Sequence, residues 1–123
     1  MAVLVIDDSL AMRSLLRRIL SGSGFEVIEA GGGEEGLNTL QGRDDIQAVL
    51  VDWQMPGMDG CEFIRAARAA DTHRELPIMM VTAESELDQV AKALAAGADE
   101  YVMKPFTRDA VLEKLNLLGI TSN

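Results

Sequence analysis

The sequence predicts a doubly wound α/β domain, in which a five-stranded parallel β-sheet is flanked by five helices. Two observations support this fold class. Short apolar runs, each too short for a stable helix, alternate strictly along the chain with stretches whose apolar residues lie three and four positions apart. Most of the short runs show no alternation of apolar and polar residues, which is typical of parallel strands buried on both faces and joined by right-handed crossovers.

The strands are predicted from runs of β-branched and apolar residues. The five runs are Val3–Ile6, Glu26–Ala30, Ala48–Val51, Ile78–Val81 and Tyr101–Met103. The order 2-1-3-4-5, one of the two common orders of doubly wound sheets, would make the first and third strands neighbours.

The helices are predicted wherever apolar residues recur with the helical period. The first, third, fourth and fifth helices have the apolar sets Met12, Leu15, Leu16, Ile19 and Leu20; Phe63, Ile64 and Ala67; Leu87, Val90, Ala91 and Leu94; and Val111, Leu112, Leu115 and Leu118. The second helix, Glu34–Leu40, has a weaker pattern that depends mainly on Leu37 and Leu40. Predicted caps and helix ends are Ser9, Gly22, Gly24, Gly97, Thr107 and Gly119.

Length and composition favour a single domain over residues 1–123, since apolar residues make up 48% and charged residues 25% of the chain. The formal charge of -9 would repel nucleic acids and anionic membranes, so we expect no direct binding to either. No apolar run approaches the roughly 20 residues that span a bilayer, and no export signal is visible. Cys61 is the only cysteine, which excludes an intrachain disulfide and fits a cytoplasmic location.

Polar residues follow the predicted strands at the points where the strands end, namely Asp7, Asp8, Asp52, Thr82 and Lys104. One acidic residue at such a place is usually a helix cap, but the coincidence of five polar residues favours a functional site. Ligands of doubly wound sheets bind at this edge, where the winding direction reverses. Three carboxylates in one crevice repel each other, and hard oxygen ligands suit Mg²⁺ better than Zn²⁺. The sequence therefore predicts a magnesium site.

A carboxylate beside Mg²⁺ can attack phosphorus and form an acyl phosphate, a reaction that depends mainly on positioning and on charge neutralisation. Asp52 is the candidate nucleophile. The ammonium of Lys104 and the hydroxyl of Thr82 would each contact one phosphoryl oxygen, and Mg²⁺ would bind the third.

Four segments together resemble the receiver domain of response regulators in bacterial two-component signalling. They are Val5–Ser9, Val51–Gly60, Val81–Ala83 and Lys104–Phe106. The resemblance covers the whole chain in the order and spacing of that family, and it implies a flavodoxin-like fold with the strand order 2-1-3-4-5. Trp53 directly after Asp52, and Tyr101 three residues before Lys104, make the chain similar to the single-domain, CheY-like chemotaxis regulators in particular.

The resemblance implies a role for each residue of the acidic site. Asp52 would be the phosphoacceptor and, with Asp8, a ligand of Mg²⁺. Asp7 would act on the ion largely through water, and Gln54 would bind it through the backbone carbonyl.

The resemblance also implies a switch formed by Thr82 and Tyr101, in which the hydroxyl moves towards the phosphoryl group and the aromatic ring follows. The peptide bond between Lys104 and Pro105 is expected to be cis. The implied partners are a sensor histidine kinase or a phosphotransfer protein, a downstream target such as the flagellar motor switch, and a phosphatase. The chain itself is expected to be a monomer and a signalling switch, one that catalyses only its own phosphorylation and slow autodephosphorylation.

Two other functions remain open at this point. The chain could be a phosphate relay or sink, or a receiver domain that belongs to a longer regulator. A small phosphohydrolase is disfavoured, because such enzymes use an acid two residues after the nucleophile and Gln54 cannot protonate a leaving group. Gln54 and Glu84 occupy positions that tune the phosphoryl lifetime in this family, so that lifetime is not predicted.

Several other residues are interpreted as structural. Asp59 is expected to cap the third helix, and Cys61 to be an ordinary buried or half-buried thiol. His73 is expected at the surface. The strand methionines Met79, Met80 and Met103 are expected to fill the core, with Met103 a candidate for the edge of the output surface.

Overall fold

The computed structural model describes residues 1–83 and 88–121, and it contains the predicted five-stranded parallel sheet in the order β2-β1-β3-β4-β5. The strands are β1 Ala2–Ile6, β2 Glu26–Ala30, β3 Ile46–Asp52, β4 Ile78–Ala83 and β5 Glu100–Lys104. The helices are α1 Leu10–Ser21, α2 Gly33–Gly42, α3 Gly60–Ala69, α4 Asp88–Ala96 and α5 Arg108–Leu117, with a 3₁₀ turn at Asp71–His73. The predicted fold class is confirmed.

Two apolar clusters hold the helices against opposite faces of the sheet. On one face, alternate residues of β1 such as Leu4 and Ile6 pack with Phe63 and Ile64 of α3. The other face packs against α1 and α5 through the side chains Val3, Val5, Leu16, Leu20, Val111 and Leu115. The central strands β1, β3 and β4 are covered on both faces, whereas the edge strands β2 and β5 keep exposed residues such as Glu26 and Met103.

Helix boundaries follow the capping residues that the sequence predicts. The side chain of Ser9 accepts a hydrogen bond from the backbone N–H of Met12 at 3.2 Å, and that of Thr107 accepts one from Ala110 at 3.1 Å. Asp59 caps α3 by accepting from the N–H of Glu62 at 2.9 Å, while the Glu62 side chain accepts from the N–H of Asp59 at 3.2 Å. Each of these contacts satisfies an N–H group that the helix itself leaves unpaired.

Some details differ from the sequence-based prediction. Strand β3 begins at Ile46 rather than Ala48, because the polar Gln47 interrupts the apolar run and hides the start of the strand. Met79 and Met80 are buried as predicted, but Met103 is 36% exposed, so it does not fill the core. Met103 lies on the edge strand β5, which has a neighbouring strand on one side only.

Leu87, a predicted residue of the fourth helix, and Glu84 lie outside the described residues. The described helices contain 9 to 12 residues. No helix within residues 1–83 and 88–121 combines the length and the apolar character that crossing a bilayer would require.

The close approach of α3 to the end of β3 depends on Gly60. Its N–H donates to the carbonyl oxygen of Trp53 at 2.9 Å. A Cβ atom at this position would lie 2.6 Å from the carbonyl oxygen of Asp52 and 3.0 Å from Cε of Met80. Only glycine therefore fits without moving the backbone of the residue that ends β3.

We predict that Gly60→Ala lowers the free energy of unfolding by about 1–3 kcal/mol, because the methyl group must displace the Asp52 backbone. Urea denaturation would measure the change. Gly42→Ala is the matched control, since among the described residues nothing beyond its own helix backbone and chain neighbours lies within 4 Å of a Cβ at that exposed position at the end of α2. The control should be neutral or stabilising by up to about 1 kcal/mol, since alanine favours a helix more than glycine does. A Gly60→Ala variant as stable as the control would contradict the packing argument.

Candidate functional site

An open pocket of about 650 Å³ lies at the carboxyl ends of the strands, and its lining contains most of the predicted site residues. The lining consists of Asp7, Asp8, Ser9, Asp52, Gln54, Met55, Pro56, Ala83 and Lys104. Strands β1 and β3 are neighbours, with Ile6 paired to Val51 in register, so Asp7 and Asp52 leave the sheet side by side. The predicted crevice between these strands is therefore present.

Three carboxylates meet in this pocket. Asp7, Asp8 and Asp52 each offer one oxygen atom, and these oxygens all lie within 4.8 Å of one another. Asp7 is 1% exposed and Asp52 is 6% exposed, whereas Asp8 is exposed at the mouth of the pocket. Burial weakens the screening by water, so the negative charges repel each other more strongly than they would at the surface.

Lys104 supplies a positive charge to the pocket. Its Nζ atom donates a hydrogen bond to Oδ1 of Asp52 at 2.7 Å, and the two side chains are 28% and 7% exposed. To make this contact, the lysine reaches from β5 past β4 to the end of β3. The peptide bond from Lys104 to Pro105 is cis, as expected from the resemblance.

Burial dominates the electrostatics of Asp52. The pKa of Asp52 is raised to about 6: loss of solvation is the largest cause, the Lys104 hydrogen bond opposes it in part, and the charge of Asp7 adds to the rise. Without further positive charge, ionisation of Asp52 is therefore less favourable than it would be in water. A bound cation would reverse this effect by favouring the carboxylate.

Asp7 is the most deeply buried of the three carboxylates. Its Oδ1 atom accepts a hydrogen bond from the N–H of Ser9 at 2.9 Å, and its backbone carbonyl accepts one from Nη1 of Arg13 at 2.6 Å. Its Oδ2 atom is buried and has no hydrogen-bond partner among residues 1–83 and 88–121. Burial raises the pKa of Asp7, which the Ser9 N–H and the charge of Lys104 only partly oppose.

These residues fit a hard divalent cation. Within the part of the chain that the structure describes, three carboxylates face one ammonium group and a buried oxygen of Asp7 has no donor, which is the arrangement that a cation would complete. The donor atoms are all oxygens, with room for water in an open pocket, and this set suits Mg²⁺ rather than Zn²⁺.

The structure does not bring every predicted residue into the pocket wall. Thr82 is 1% exposed and is not among the described residues that line the pocket, whereas its neighbour Ala83 is. The Thr82 hydroxyl has a long contact of 3.5 Å to the carbonyl oxygen of Ala83. Tyr101 is half-buried and packs against the same apolar cluster as Met80, its partner in register on β4. Thr82 lies two residues after Met80, so Thr82 and Tyr101 share one face of the sheet.

Sequence reasoning missed the contribution of Arg13. This residue holds the turn after β1 through the Asp7 carbonyl, and its Nε atom donates to Glu29 at 3.1 Å on the neighbouring strand β2. No sequence pattern marks an arginine six residues from an aspartate as a backbone contact. Ser9 was predicted only as a helix cap, yet it also lines the pocket and binds Asp7.

The raised pKa of Asp52 predicts a pH-dependent stability in the absence of divalent ions. Between about pH 4 and pH 6 the folded chain binds more protons at Asp52 than the unfolded chain, so the free energy of unfolding falls as pH rises. Asp52→Asn should remove this contribution, on the order of 2 kcal/mol, and so flatten the profile.

Urea denaturation from pH 4 to pH 7 in the presence of a chelator would measure the effect. Asp44→Asn, at an exposed position far from the pocket, controls for the removal of a carboxylate in general. Identical pH profiles for the wild type and Asp52→Asn would contradict the assignment of the raised pKa.

Comparisons with known proteins agree with this geometry. Residues 3–116 match the family model of the response regulator receiver domain. The chain is 39% identical over 119 residues to the chemotaxis protein CheY1 of Helicobacter pylori, with 96% of each chain covered. Among solved structures, the chemotaxis protein CheY4 of Vibrio cholerae is similar with a TM-score of 0.89 and 33% identity, over 96% of this chain and 98% of that chain.

Similarity extends to receivers within longer proteins. A probable two-component system response regulator/GGDEF domain protein is 29% identical, with a TM-score of 0.90, over 96% of this chain but 48% of that chain. The order of strands, the acidic pocket and these matches agree with one another. The chain belongs to the response regulator receiver domain family and is a receiver domain of the CheY type.

Proposed function

We propose that the chain is a phosphorylation-activated response regulator in which Asp52 accepts a phosphoryl group with the help of Mg²⁺. The observation that carries this proposal is the buried Asp52 carboxylate, hydrogen-bonded to Lys104 at 2.7 Å and crowded by Asp7 and Asp8. A phosphoryl donor can reach this carboxylate through the pocket, and the Lys104 ammonium positions it. Any ligand that brings further positive charge would stabilise its ionised form.

The residues proposed to hold Mg²⁺ are Asp7, Asp8, Asp52 and the backbone carbonyl of Gln54. The ion, when bound, would neutralise negative charge on the phosphoryl oxygens and on the carboxylates. Asp7 would contribute largely through water, using the Oδ2 atom that has no partner among the described residues. Ser9 and Arg13 would keep Asp7 in place by their contacts to its Oδ1 atom and its carbonyl oxygen.

The proposed reaction is an in-line displacement at phosphorus. One Oδ atom of ionised Asp52 forms the new O–P bond, while the bond from phosphorus to the donor's leaving group breaks and that group takes the electron pair. Lys104 already donates to Oδ1 of Asp52, and a small movement would let its ammonium contact a phosphoryl oxygen instead. The donor would be a phosphohistidine of a sensor kinase or phosphotransfer protein, or a small acyl phosphate.

Phosphorylation would then act on the Thr82–Tyr101 pair. Among the described residues, the Thr82 hydroxyl contacts only its neighbour's carbonyl, at a long distance, so a phosphoryl oxygen could attract it towards the pocket. The Tyr101 ring shares the same face of the sheet and would move into the vacated space. The surface formed by α4, β5 and α5 would change as a result. A shift from mostly inactive to mostly active needs roughly 5 kcal/mol, which a few charge-assisted contacts can supply.

The changed surface would bind a downstream protein. Because similar proteins are named chemotaxis proteins, we propose a component of the flagellar motor switch as the target and a phosphatase as a further partner. On this proposal the chain works as a monomer in the cytoplasm, and its own chemistry is limited to autophosphorylation and slow autodephosphorylation. Nucleic acid is not a proposed partner, since the net charge is -9.

A second candidate is a phosphate relay or sink, or a receiver unit of a larger regulator. This alternative is supported by the structural match to a response regulator/GGDEF domain protein, of which the match covers 48%. The chemistry at Asp52 would be the same in each case. The alternatives differ only in what the phosphorylated surface contacts.

We predict that Asp52→Asn abolishes labelling by radioactive acetyl phosphate, because an amide oxygen cannot act as the nucleophile. Labelling in the presence of Mg²⁺, followed by gel autoradiography, would measure the reaction. Asp59→Asn is the matched control, since asparagine is also an effective N-cap and Asp59 lies outside the pocket lining. Normal labelling of Asp52→Asn would refute the assignment of the phosphoacceptor.

We predict that Mg²⁺ changes the fluorescence of Trp53, which is the only tryptophan and directly follows Asp52. Asp8→Asn should weaken the binding of Mg²⁺ about tenfold or more, while Asp59→Asn should leave it unchanged. Binding to the wild type should also weaken below about pH 6, because protons compete at Asp52, whose pKa is about 6 in the ion-free protein. Equal affinities for the wild type and Asp8→Asn would contradict the proposed ligand set.

A further inference from the structure

Tyr101 is the only tyrosine of the chain, and it lies on β5, the strand at the edge of the sheet. Its half-buried ring packs against the apolar cluster on the α3 face of the sheet. Its neighbour Glu100 lies on the opposite face, because successive side chains of a strand alternate. The edge of β5 is therefore the place where groups from the two faces of the sheet can meet.

Lys114 of α5 reaches this edge from the other face. Its Nζ atom lies 5.0 Å from the centroid of the Tyr101 ring and 3.1 Å from Oε1 of Glu100. The same Oε1 atom accepts a hydrogen bond from the backbone N–H of Tyr101 at 3.0 Å. We call these three residues, Glu100, Tyr101 and Lys114, the edge clamp.

The chemistry of the edge clamp restrains the Tyr101 ring in one position. The negative face of an aromatic ring attracts an ammonium group within about 6 Å of its centroid. The Oε1 atom of Glu100 keeps the Lys114 ammonium in place, because the backbone N–H of Tyr101 donates to the same Oε1 atom and fixes its position. The Lys114 and Glu100 side chains are 31% and 22% exposed, so water screens the contact less than it would on an open surface.

We propose that Lys114 is a positioning residue that holds the Tyr101 ring at the outer edge of β5 and so opposes its inward movement. This inference rests on the proposed Thr82–Tyr101 switch. It adds the residue that sets the equilibrium between the two positions of the Tyr101 ring in the unphosphorylated protein. Inward movement of the ring would break the cation–π contact. A contact of this kind is worth about a fivefold change in an equilibrium, so the clamp favours the unphosphorylated state by that factor.

The single tyrosine allows a direct test. Protein labelled with 3-fluorotyrosine should give one ¹⁹F NMR resonance, which reports on Tyr101 alone. The variants are Lys114→Gln, which keeps a hydrogen-bond donor but removes the charge, and Lys114→Arg, which keeps the cation. Lys92→Gln, at an exposed position of α4, is the matched control for the loss of one positive charge. Each variant is measured alone and during titration with beryllofluoride in the presence of Mg²⁺.

For Lys114→Gln, we expect the resonance of the free protein to move towards that of the beryllofluoride-bound wild type. We also expect beryllofluoride to bind it up to about fivefold more tightly, because less free energy opposes the ring movement. Lys114→Arg should restore the wild-type resonance and affinity, and Lys92→Gln should match the wild type in both measurements.

A Lys114→Gln resonance identical to that of the wild type would overturn the proposal. A Lys114→Gln variant whose urea denaturation midpoint changes while its resonance does not would also overturn the proposal. A merely structural role would change the stability of the protein without moving the resonance. Failure of the proposed function has a different signature, namely a wild-type resonance that does not respond to beryllofluoride. In that case the comparison of Lys114→Gln with Lys114→Arg in the free protein still decides whether the cation positions the ring.

Discussion

The structure depends above all on the adjacency of β1 and β3, which places Asp7 and Asp52 side by side at the edge of a buried sheet. Carboxylates at this place lose much of their hydration, and the Lys104 ammonium compensates only part of the negative charge. The remaining imbalance is visible in the pKa of Asp52, which burial raises to about 6. A folded domain keeps such a cluster only where the rest of the core is stable enough to hold it.

The elements around the pocket explain how the core holds this cluster. Gly60 lets α3 begin against the last residue of β3, and the capping box of Asp59 and Glu62 fixes the start of that helix. On the other side, Arg13 of α1 binds the carbonyl oxygen of Asp7. Local contacts of helix starts and strand ends therefore position the acidic groups, while the apolar clusters on both faces supply most of the stability.

The charged pocket and the edge of the sheet are connected through β4 and β5. Lys104 ends β5 in the pocket, and Tyr101 lies three residues earlier on the same strand, beside Glu100 and Lys114. On the proposed function, a change in charge at Asp52 would reach the outer surface through β5, the strand at the edge of the sheet. An edge strand is suited to this role, because fewer hydrogen bonds fix its outer side.

Much of the fold and of the acidic site followed from the sequence alone. Apolar runs and helical periodicity determine which segments are strands and helices, and polar residues at strand ends mark Asp7, Asp8, Asp52 and Lys104, since both patterns reflect local geometry. Tertiary structure decided what local patterns do not encode: the contact of Arg13 with Asp7, the burial of Thr82 outside the described pocket lining, and the contact of Lys114 with Tyr101. These contacts depend on the packing of α1 and α5 on the sheet, which sequence spacing leaves undetermined because many side-chain directions fit the same apolar pattern.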